Sequence, residues 1–361
     1  MFLNKKLRVA VVFGGQSGEH EVSLMSSTSI INALDKEKYE IIMIGITRQG
    51  SWKHYDGPVD KIITGEWERG SKNLDESKYN FLTTGEGFPG ENIDVVFPVL
   101  HGPMGEDGTI QGLFELAGLA YVGCGVLASA VGMDKVFSKT VFERAGLKQA
   151  DYSVFMKQEL DEDMDGAISS IEKRFNYPVF IKPANLGSSV GITKAHGREE
   201  LARGLVLAAR YDRKIIVEEF IDGHEVECSV LGNDTPRASV VGQILPSNEF
   251  YDYQAKYYDD GKSGLVIPAD ISPKATARVK RMAVEAFKAI DGSGLARADF
   301  FVDKRTDEVY INEINTMPGF TKISMYPKLW DAAGLPYPQL LDTLIDHALE
   351  RRAGKVNTAL V

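Results

Sequence analysis

With 361 residues the chain is longer than one ordinary core organises, and division by roughly 150 residues per domain gives two or three domains. Its 43% hydrophobic and 25% charged residues are those of an ordinary soluble protein. The formal net charge of −10 argues against a general nucleic-acid binder, whose phosphate contacts need a basic surface.

In chain order, "LRVAVVFGG" (7–15) reads as a continuous apolar strand ending in a glycine turn, not as a signal core, because no small-residue cleavage site follows it. "EVSLMSSTSIINAL" (21–34) has helical spacing, with Val22, Ser26, Ser29 and Ala33 near one face. "YEIIMIGIT" (39–47) and "IDVVFPVLHG" (93–102) are further buried strands, and residues 51–90, rich in Gly, Lys and Glu, read as an irregular surface excursion. Strands alternating with helices imply a parallel sheet that binds ligands at the carboxyl ends of its strands.

This first domain is expected to close at residue 124. "GVLASAVGMDKVFSKTVFERAGL" (125–147) reads as one long helix, with a second at 162–175. "YPVFIKP" (177–183) and "SVGITKA" (189–195) read as strands that put "KPANLGSSVG" (182–191) at a hairpin tip; a helix (198–211) and a strand (214–221) follow. The expected boundaries are 1–124, 125–215 and 216–361. In the last part, 225–232 and 237–245 read as antiparallel strands, 272–290 as a helix, 295–303 and 308–315 as strands, and 337–352 as a closing helix. Residues 247–270 form a polar, aromatic-rich loop, longer than the ~12–15 residues at which a structureless loop usually has a function. No apolar stretch approaches the ~18 residues of a membrane span, and Cys124 and Cys228 show no CxxC spacing; both fit a cytoplasmic protein without a disulfide framework.

Two segments invite chemistry. Strand alternation puts Arg297 and Asp299 on one face of "ARADFFVD", and Glu313 and Asn315 on one face of "VYINEINTMPG". Paired as a hairpin, they would gather a guanidinium, two carboxylates and a carboxamide, hard oxygen donors that suit Mg²⁺. The plainer alternative is that the acids pair with Arg297 and lysines on a solvated sheet face. The glycine-serine loop differs from a Walker A loop, in which the lysine follows the glycines. Here Lys182 precedes Gly187, Ser188, Ser189 and Gly191. A hairpin tip could still cover triphosphate oxygens with backbone N–H groups and hydroxyls while Lys182 reaches them from its strand. Gly-Ser hairpins without a ligand are common, and both readings stand at this point.

"GGQSGEHEVS" (14–23), "LHGPMGEDG" (100–108), "MDK" (133–135), "KPANLGSSVG", "YDYQAKY" (251–257), "RAD" (297–299) and "NEINTMPGFT" (312–321) occur in that order. Together they resemble the D-alanine–D-alanine ligase family of ATP-grasp enzymes, from residue 8 to about 345. The resemblance implies an α/β fold with α+β parts: an N-terminal Rossmann-like parallel sheet, then two α+β subdomains holding ATP between them. It implies ATP-dependent joining of two D-alanines through an acyl phosphate, for peptidoglycan precursors, with two Mg²⁺ (or Mn²⁺) ions and, in some members, a monovalent cation. A homodimer is expected, and neither nucleic acid nor a membrane as partner.

Residue by residue, Lys135 and Lys182 match phosphate-binding lysines, with Ser188, Ser189 and Lys256 beside them. Asp299, Glu313 and Asn315 match the metal ligands. Arg297 and the Gly319 N–H match groups that face the transferred phosphate and the tetrahedral oxyanion. Glu19 matches the carboxylate holding the first substrate's ammonium, and His101 a partner of that carboxylate. Ser188 and Tyr257 match a network with Glu19 that ties flap and 247–270 lid to the N-terminal domain. Ser324 and Met325 match holders of the second substrate's carboxylate. Glu218, Phe220 and Ile221 match the purine site and Glu225 the ribose contact, although Phe220 and Ile221 would also suit interdomain core. Tyr257 favours an amine nucleophile. The competing readings are a ligase for D-lactate or D-serine, another ATP-grasp carboxylate–amine ligase, and a catalytically silent nucleotide sensor.

Overall fold

The computed structural model describes residues 5–73, 93–187, 190–245 and 264–356. β1 (Leu7–Gly14) lies between β2 (Tyr39–Ile46) and β5 (Val95–Val99) and runs parallel to both. Every residue of β5 is buried, which explains its unbroken apolar run: both faces of this sheet are covered. One face packs on α1 (His20–Ala33), and the other takes Ile110 and Phe114 of α4 (Thr109–Leu116) against Ala10, Val12 and Val96.

The segment expected to be an irregular excursion is ordered over 51–73. β3 (Trp52–Tyr55) and β4 (Lys72–Asn73) extend the sheet antiparallel, to the order β4-β3-β2-β1-β5, with the short helices α2 (Asp60–Ile63) and α3 (Trp67–Gly70) between them. The reason is Trp67: it is 0% exposed and meets Phe13 edge-on at 5.1 Å. Gly45 on β2 makes its room, since a Cβ there would stand 2.1 Å from the indole.

The expected long helix at 125–147 is two helices, α5 (Val126–Met133) and α6 (Lys135–Arg144). Asp134 breaks it with an extended backbone; its carboxylate accepts from the N–H groups of Val136 and Phe137, capping α6, and pairs with Lys214. The Lys135 N–H donates to the Ala184 carbonyl at 3.0 Å, so the break ties α6 to the base of the glycine-serine loop. A four-stranded antiparallel sheet follows, in the order β6-β9-β7-β8: β6 (Tyr152–Met156), β7 (Val179–Pro183), β8 (Thr193–Ala195) and β9 (Lys214–Glu219). β6 has no counterpart among the expected elements. Of the expected strand at 189–195, the described residues from 190 on form strand at Thr193–Ala195, and the helix at 162–175 becomes α7 (Lys157–Glu162) and α8 (Met164–Arg174). α9 (Arg198–Ala208) covers one face of this sheet. A boundary at 215 falls inside β9; the chain leaves this sheet after Glu219.

The last sheet is antiparallel, in the order β12-β11-β10-β13-β14. It contains β10 (Gly223–Gly232), β11 (Arg237–Leu245), β12 (Gly264–Val266), β13 (Gly294–Asp303) and β14 (Val309–Asn315). Val226, Cys228 and Val230 alternate with Glu225, Glu227 and Ser229 along β10. The apolar set packs with Ala296, Ala298 and Phe300 against α10 (Pro273–Ala289), leaving the polar set on the opposite face. β12 turns the end of the expected lid loop into an edge strand; residues 247–263 of that loop lie outside the described residues.

α11 (Met325–Ala332) leads to α12 (Tyr337–Val356), which returns to the first sheet. Leu340, Leu344 and Ile345 share one cluster with Val9, Val11 and Phe97. The first and last thirds of the chain therefore share a core. Replacing Trp67 by alanine should cost about 3–5 kcal/mol, measured as the shift in denaturant midpoint; a cost under about 1 kcal/mol would show that the 51–73 segment is a dispensable surface layer.

Candidate active site

Two pockets meet on the polar face of the β10–β13–β14 sheet. One is lined by Glu19, His101, Lys135, Arg297, Gly319 and Ser324. The other is lined by Lys182, Glu218, Phe220, Ile221, Glu225 and Asp299. Glu227, Ile244 and Glu313 line both, so these residues form the wall the pockets share.

The wall is a row of acids. Glu227 on β10 stands opposite Asp299 on β13, and Asp299 opposite Glu313 on β14. Arg297 lies one step along the same face, opposite Asn315. Its guanidinium grips Asp299 in a two-pronged pair, Nε to Oδ1 and Nη2 to Oδ2, both 2.7 Å, and its Nε is 3.0 Å from Glu227 Oε2. β14 carries a bulge here: Phe300 faces Ile311 while Asp299 faces Glu313, leaving Asn312 as the extra residue. The bulge brings two consecutive side chains, Asn312 and Glu313, to the pocket, where simple alternation would send one of them away.

The oxygen donors of Asp299, Glu313 and Asn315 have the chemistry a magnesium ion takes. Asp299 is engaged by Arg297, and Asn315 Oδ1 accepts the Met317 N–H at 3.0 Å. Among the described residues no three His, Cys, Asp or Glu side chains gather as a metal cluster. By donor type alone the set suits a cation that takes the rest of its shell from water and substrate oxygens, and Arg297 would have to release Asp299 first.

Lys182 is buried at the pocket junction, its Nζ 2.5 Å from Glu218 Oε2 and 3.3 Å from Asn312 Oδ1. Burial would lower its ammonium pKa, but Glu218, Glu313 and Glu225 more than offset this and raise it. Burial would likewise raise the carboxyl of Glu218, but Lys139 and Lys182 hold it down at about 2. Lys135 Nζ donates to the Leu186 carbonyl at 2.8 Å and stands 3.4 Å from Glu313 Oε2, joining the base of the glycine-serine loop to the acid row. Phe220 is 37% exposed, with Phe180 at 6.2 Å and the Lys194 ammonium 4.3 Å from its ring centre. That exposure removes Phe220 from the interdomain core and leaves an open apolar face beside Ile221.

Glu19 follows β1, and His101 follows β5, its neighbour in the sheet. Ser17 laces the two loops: its Oγ donates to the His101 carbonyl at 2.7 Å and accepts from the Glu19 N–H at 2.9 Å. A Cβ on Gly102 (φ +75°) would stand 2.7 Å from Glu19 Oε2, and one on Gly187 3.1 Å from the same oxygen. The glycine-serine loop thus approaches the Glu19 carboxylate closely, and a side chain at Gly187 would require that carboxylate to shift by a few tenths of an ångström. The His101 ring contacts the Met317 carbonyl at 3.0 Å and Glu106 at 3.7 Å. Burial would lower its pKa, but Glu106 and then Glu19 raise it. Its tie to Glu19 runs through charge and backbone, with Glu106 as its nearest acid.

Gly319 packs against Ser324, whose Oγ accepts from the Thr321 N–H at 3.1 Å and does not cap the helix that Met325 begins. The N-terminus of α11 therefore presents backbone N–H groups at the pocket edge, a setting suited to a carboxylate. Ser188, Ser189, Lys256 and Tyr257 lie outside the described residues. Asn312, Glu227, Glu106 and Lys139 line the pockets or stand just behind them, and sequence reading gave none of the four a role, although Asn312 and Glu106 lie inside quoted motifs and Glu227 alternates with Glu225 along one strand.

Comparison with known proteins bears on the whole chain. The family described as D-ala D-ala ligase N-terminus matches residues 8–124, and D-ala D-ala ligase C-terminus matches residues 141–346. A D-alanine–D-alanine ligase of Acetivibrio thermocellus is 56% identical over 97% of both chains. Another, of a Thermoanaerobacter species, is 57% identical over 96% of this chain and 97% of its own. Among solved structures, the D-alanine–D-alanine ligase of Coxiella burnetii superposes with a TM-score of 0.84 at 36% identity, covering 97% of this chain and 96% of its own. VanG, a D-Ala:D-Ser ligase from Enterococcus faecalis, gives 0.84 at 39% identity, covering 95% and 100%. The ATP-grasp α/β fold expected from the motifs is that of these neighbours, and the chain belongs to the D-alanine–D-alanine ligase family.

Proposed function

We propose that this protein joins two D-alanines to D-alanyl-D-alanine at the expense of ATP, for the building of peptidoglycan precursors. The observation that carries the reading is the shared wall of Glu227 and Glu313: a phosphoryl donor in one pocket and a carboxylate acceptor in the other would meet across it. Holding two reactants in line is the larger part of catalysis in phosphoryl transfer.

On this reading the purine lies beside Phe220 and Ile221, with Glu218 at its edge and Glu225 at the ribose. Lys182 and Lys135 take the phosphates, and the family resemblance assigns Ser188, Ser189 and Lys256 to the same phosphates. Glu19, pressed between Gly102 and Gly187, holds the first D-alanine's ammonium, with His101 tied to it through Ser17. Asp299, Glu313 and Asn315 would hold magnesium, which would supply electrostatic stabilisation of charge on the phosphate oxygens. Arg297 turns from Asp299 to the transferred phosphate, keeping Glu227 as counter-ion. Ser324 and the Met325 N–H seat the second D-alanine's carboxylate so that its amine faces the activated carbonyl. Arg297 and the Gly319 N–H then receive the negative charge that develops on that oxygen. The family resemblance gives Tyr257 and the 247–270 segment, mostly outside the described residues, the task of keeping water from the acyl phosphate.

The domain limits at residues 124 and 215, the latter moved to 219 where β9 ends, a cytoplasmic location and a homodimer belong to the same proposal. The first fits the sheet memberships, and the second fits the finding that no helix among the described residues is long and apolar enough to cross a membrane. D-alanine is favoured over D-serine as second substrate because relatives at 56% and 57% identity bear the dipeptide ligase name, against 39% for VanG.

ADP release in the presence of ATP and Mg²⁺ should require D-alanine and stay near background with L-alanine, and an equimolar D-alanine and D-serine mixture should yield chiefly D-alanyl-D-alanine by mass spectrometry. Turnover of L-amino acids without D-alanine would refute the assignment. Arg297→Ala should lower turnover by about 10²–10³-fold with little change in ATP KM; a loss under about tenfold would remove Arg297 from the chemistry.

A further inference from the structure

Lys139 has no task in the mechanism above, yet it is among the most deeply buried charges of the protein. It projects from α6, is 1% exposed, and stands outside the lining of both pockets, behind Glu218. Its Nζ is 2.9 Å from Glu218 Oε1 and 5.5 Å from the centre of the Tyr152 ring. The contact is ionic and lacks the alignment of a hydrogen bond, so Nζ and Oε1 are both buried without a hydrogen-bond partner among the described residues. The other oxygen of Glu218 takes Lys182 at 2.5 Å. One carboxylate, 3% exposed, is therefore matched by two buried lysines.

A buried ammonium costs several kcal/mol of lost hydration unless its partner is fixed. Two such groups on one carboxylate are redundant for a resting protein. They make sense if one of them is to leave. Lys182 is the one that can: it lines the nucleotide pocket, touches Asn312 and feels Glu313 and Glu225. Among the described residues, the Lys139 ammonium meets Glu218 and the Tyr152 ring, and it lines neither pocket.

We propose that Lys139 is a positioning residue, a permanent buried counter-ion that keeps Glu218 charged and in place when Lys182 swings from that carboxylate to the phosphates of an incoming nucleoside triphosphate. This rests on the reading that Lys182 binds those phosphates. Without Lys139, moving Lys182 would strand Glu218 as an unpaired buried anion, so Lys182 would stay pinned. The penalty falls on ligands that recruit Lys182 and spares those that do not.

Calorimetric binding of AMP-PNP and of AMP to the wild type, Lys139→Met and Lys139→Arg separates these cases. Lys139→Met should weaken AMP-PNP about tenfold or more, which is about 1.4 kcal/mol, and AMP less than about twofold; Lys139→Arg should restore AMP-PNP to within about threefold. Equal losses for both nucleotides would mark a merely structural lysine, and an unchanged AMP-PNP affinity would also overturn the proposal. Should Lys139→Met not fold, Glu218→Gln and the double variant Lys139→Met/Glu218→Gln replace it. With no carboxylate to hold, the two should bind AMP-PNP alike, and a further loss in the double variant would overturn the proposal. Wild-type D-alanine-dependent ADP release, run beside these, distinguishes the two ways of failing: an active wild type with an indifferent Lys139→Met sinks this inference alone, whereas a wild type that binds no AMP-PNP sinks the parent reading with it.

Discussion

The cleft depends on one largely buried cation held among acids, of which Glu227 is buried and Asp299 and Glu313 are part-buried. Arg297 lies between Glu227 and Asp299, with Glu313 next in the row, on the face of three neighbouring strands. Removing one partner from such a set typically costs about 3–5 kcal/mol, because the survivor keeps its desolvation penalty. The acids can stay in a water-poor wall only while a cation neutralises them. Under the proposed function, that constraint would let the wall exchange counter-ions, a guanidinium before substrate and a metal with phosphate afterwards, without changing its fold. Glu218 repeats the scheme one strand system away, where Lys139 and Lys182 share a carboxylate.

The scaffold makes this exchange local. α12 shares a core with β1 and β5, so the loop carrying Gly319 and Phe320 is fixed to the first sheet, and the Phe320 N–H reaches Ser26 Oγ at 3.3 Å. Tyr337 donates to the Phe320 carbonyl at 2.6 Å from the other side. The Asp134 break in the 125–147 helix works likewise, capping α6 so that Lys135 points at the acid row while its backbone holds Ala184 below the glycine-serine loop. Groups from three sheets meet at the cleft, and short ties rather than one continuous element set their positions.

Much of the fold is legible in the sequence because period and burial agree. Alternation along 295–303 and 308–315 correctly puts Arg297, Asp299, Glu313 and Asn315 on one face, and the unbroken apolar run at 95–99 announces a strand covered on both sides. What escapes depends on partners far along the chain. The bulge at Asn312 answers to Phe300 across the hairpin, and Trp67 is core only because Gly45 leaves it room. β6 is half-buried on every residue and shows no apolar stripe. Lys139 resembles any helix-surface lysine until Glu218 is brought beneath it from a strand 79 positions away, counting from 139 to 218. The family resemblance pairs His101 with Glu19, whereas its ring meets Glu106 five residues on, across a turn that spacing does not announce.

The most direct measurement is a crystal structure grown with AMP-PNP and Mn²⁺, read by its anomalous difference density. We expect a manganese peak within about 2.5 Å of carboxylate oxygens of both Asp299 and Glu313, beside the β- and γ-phosphates, with the Arg297 guanidinium turned away from Asp299. Nucleotide bound with Arg297 still locked on Asp299, and both acids directed away from any cation, would contradict the counter-ion exchange on which the ligase chemistry is built.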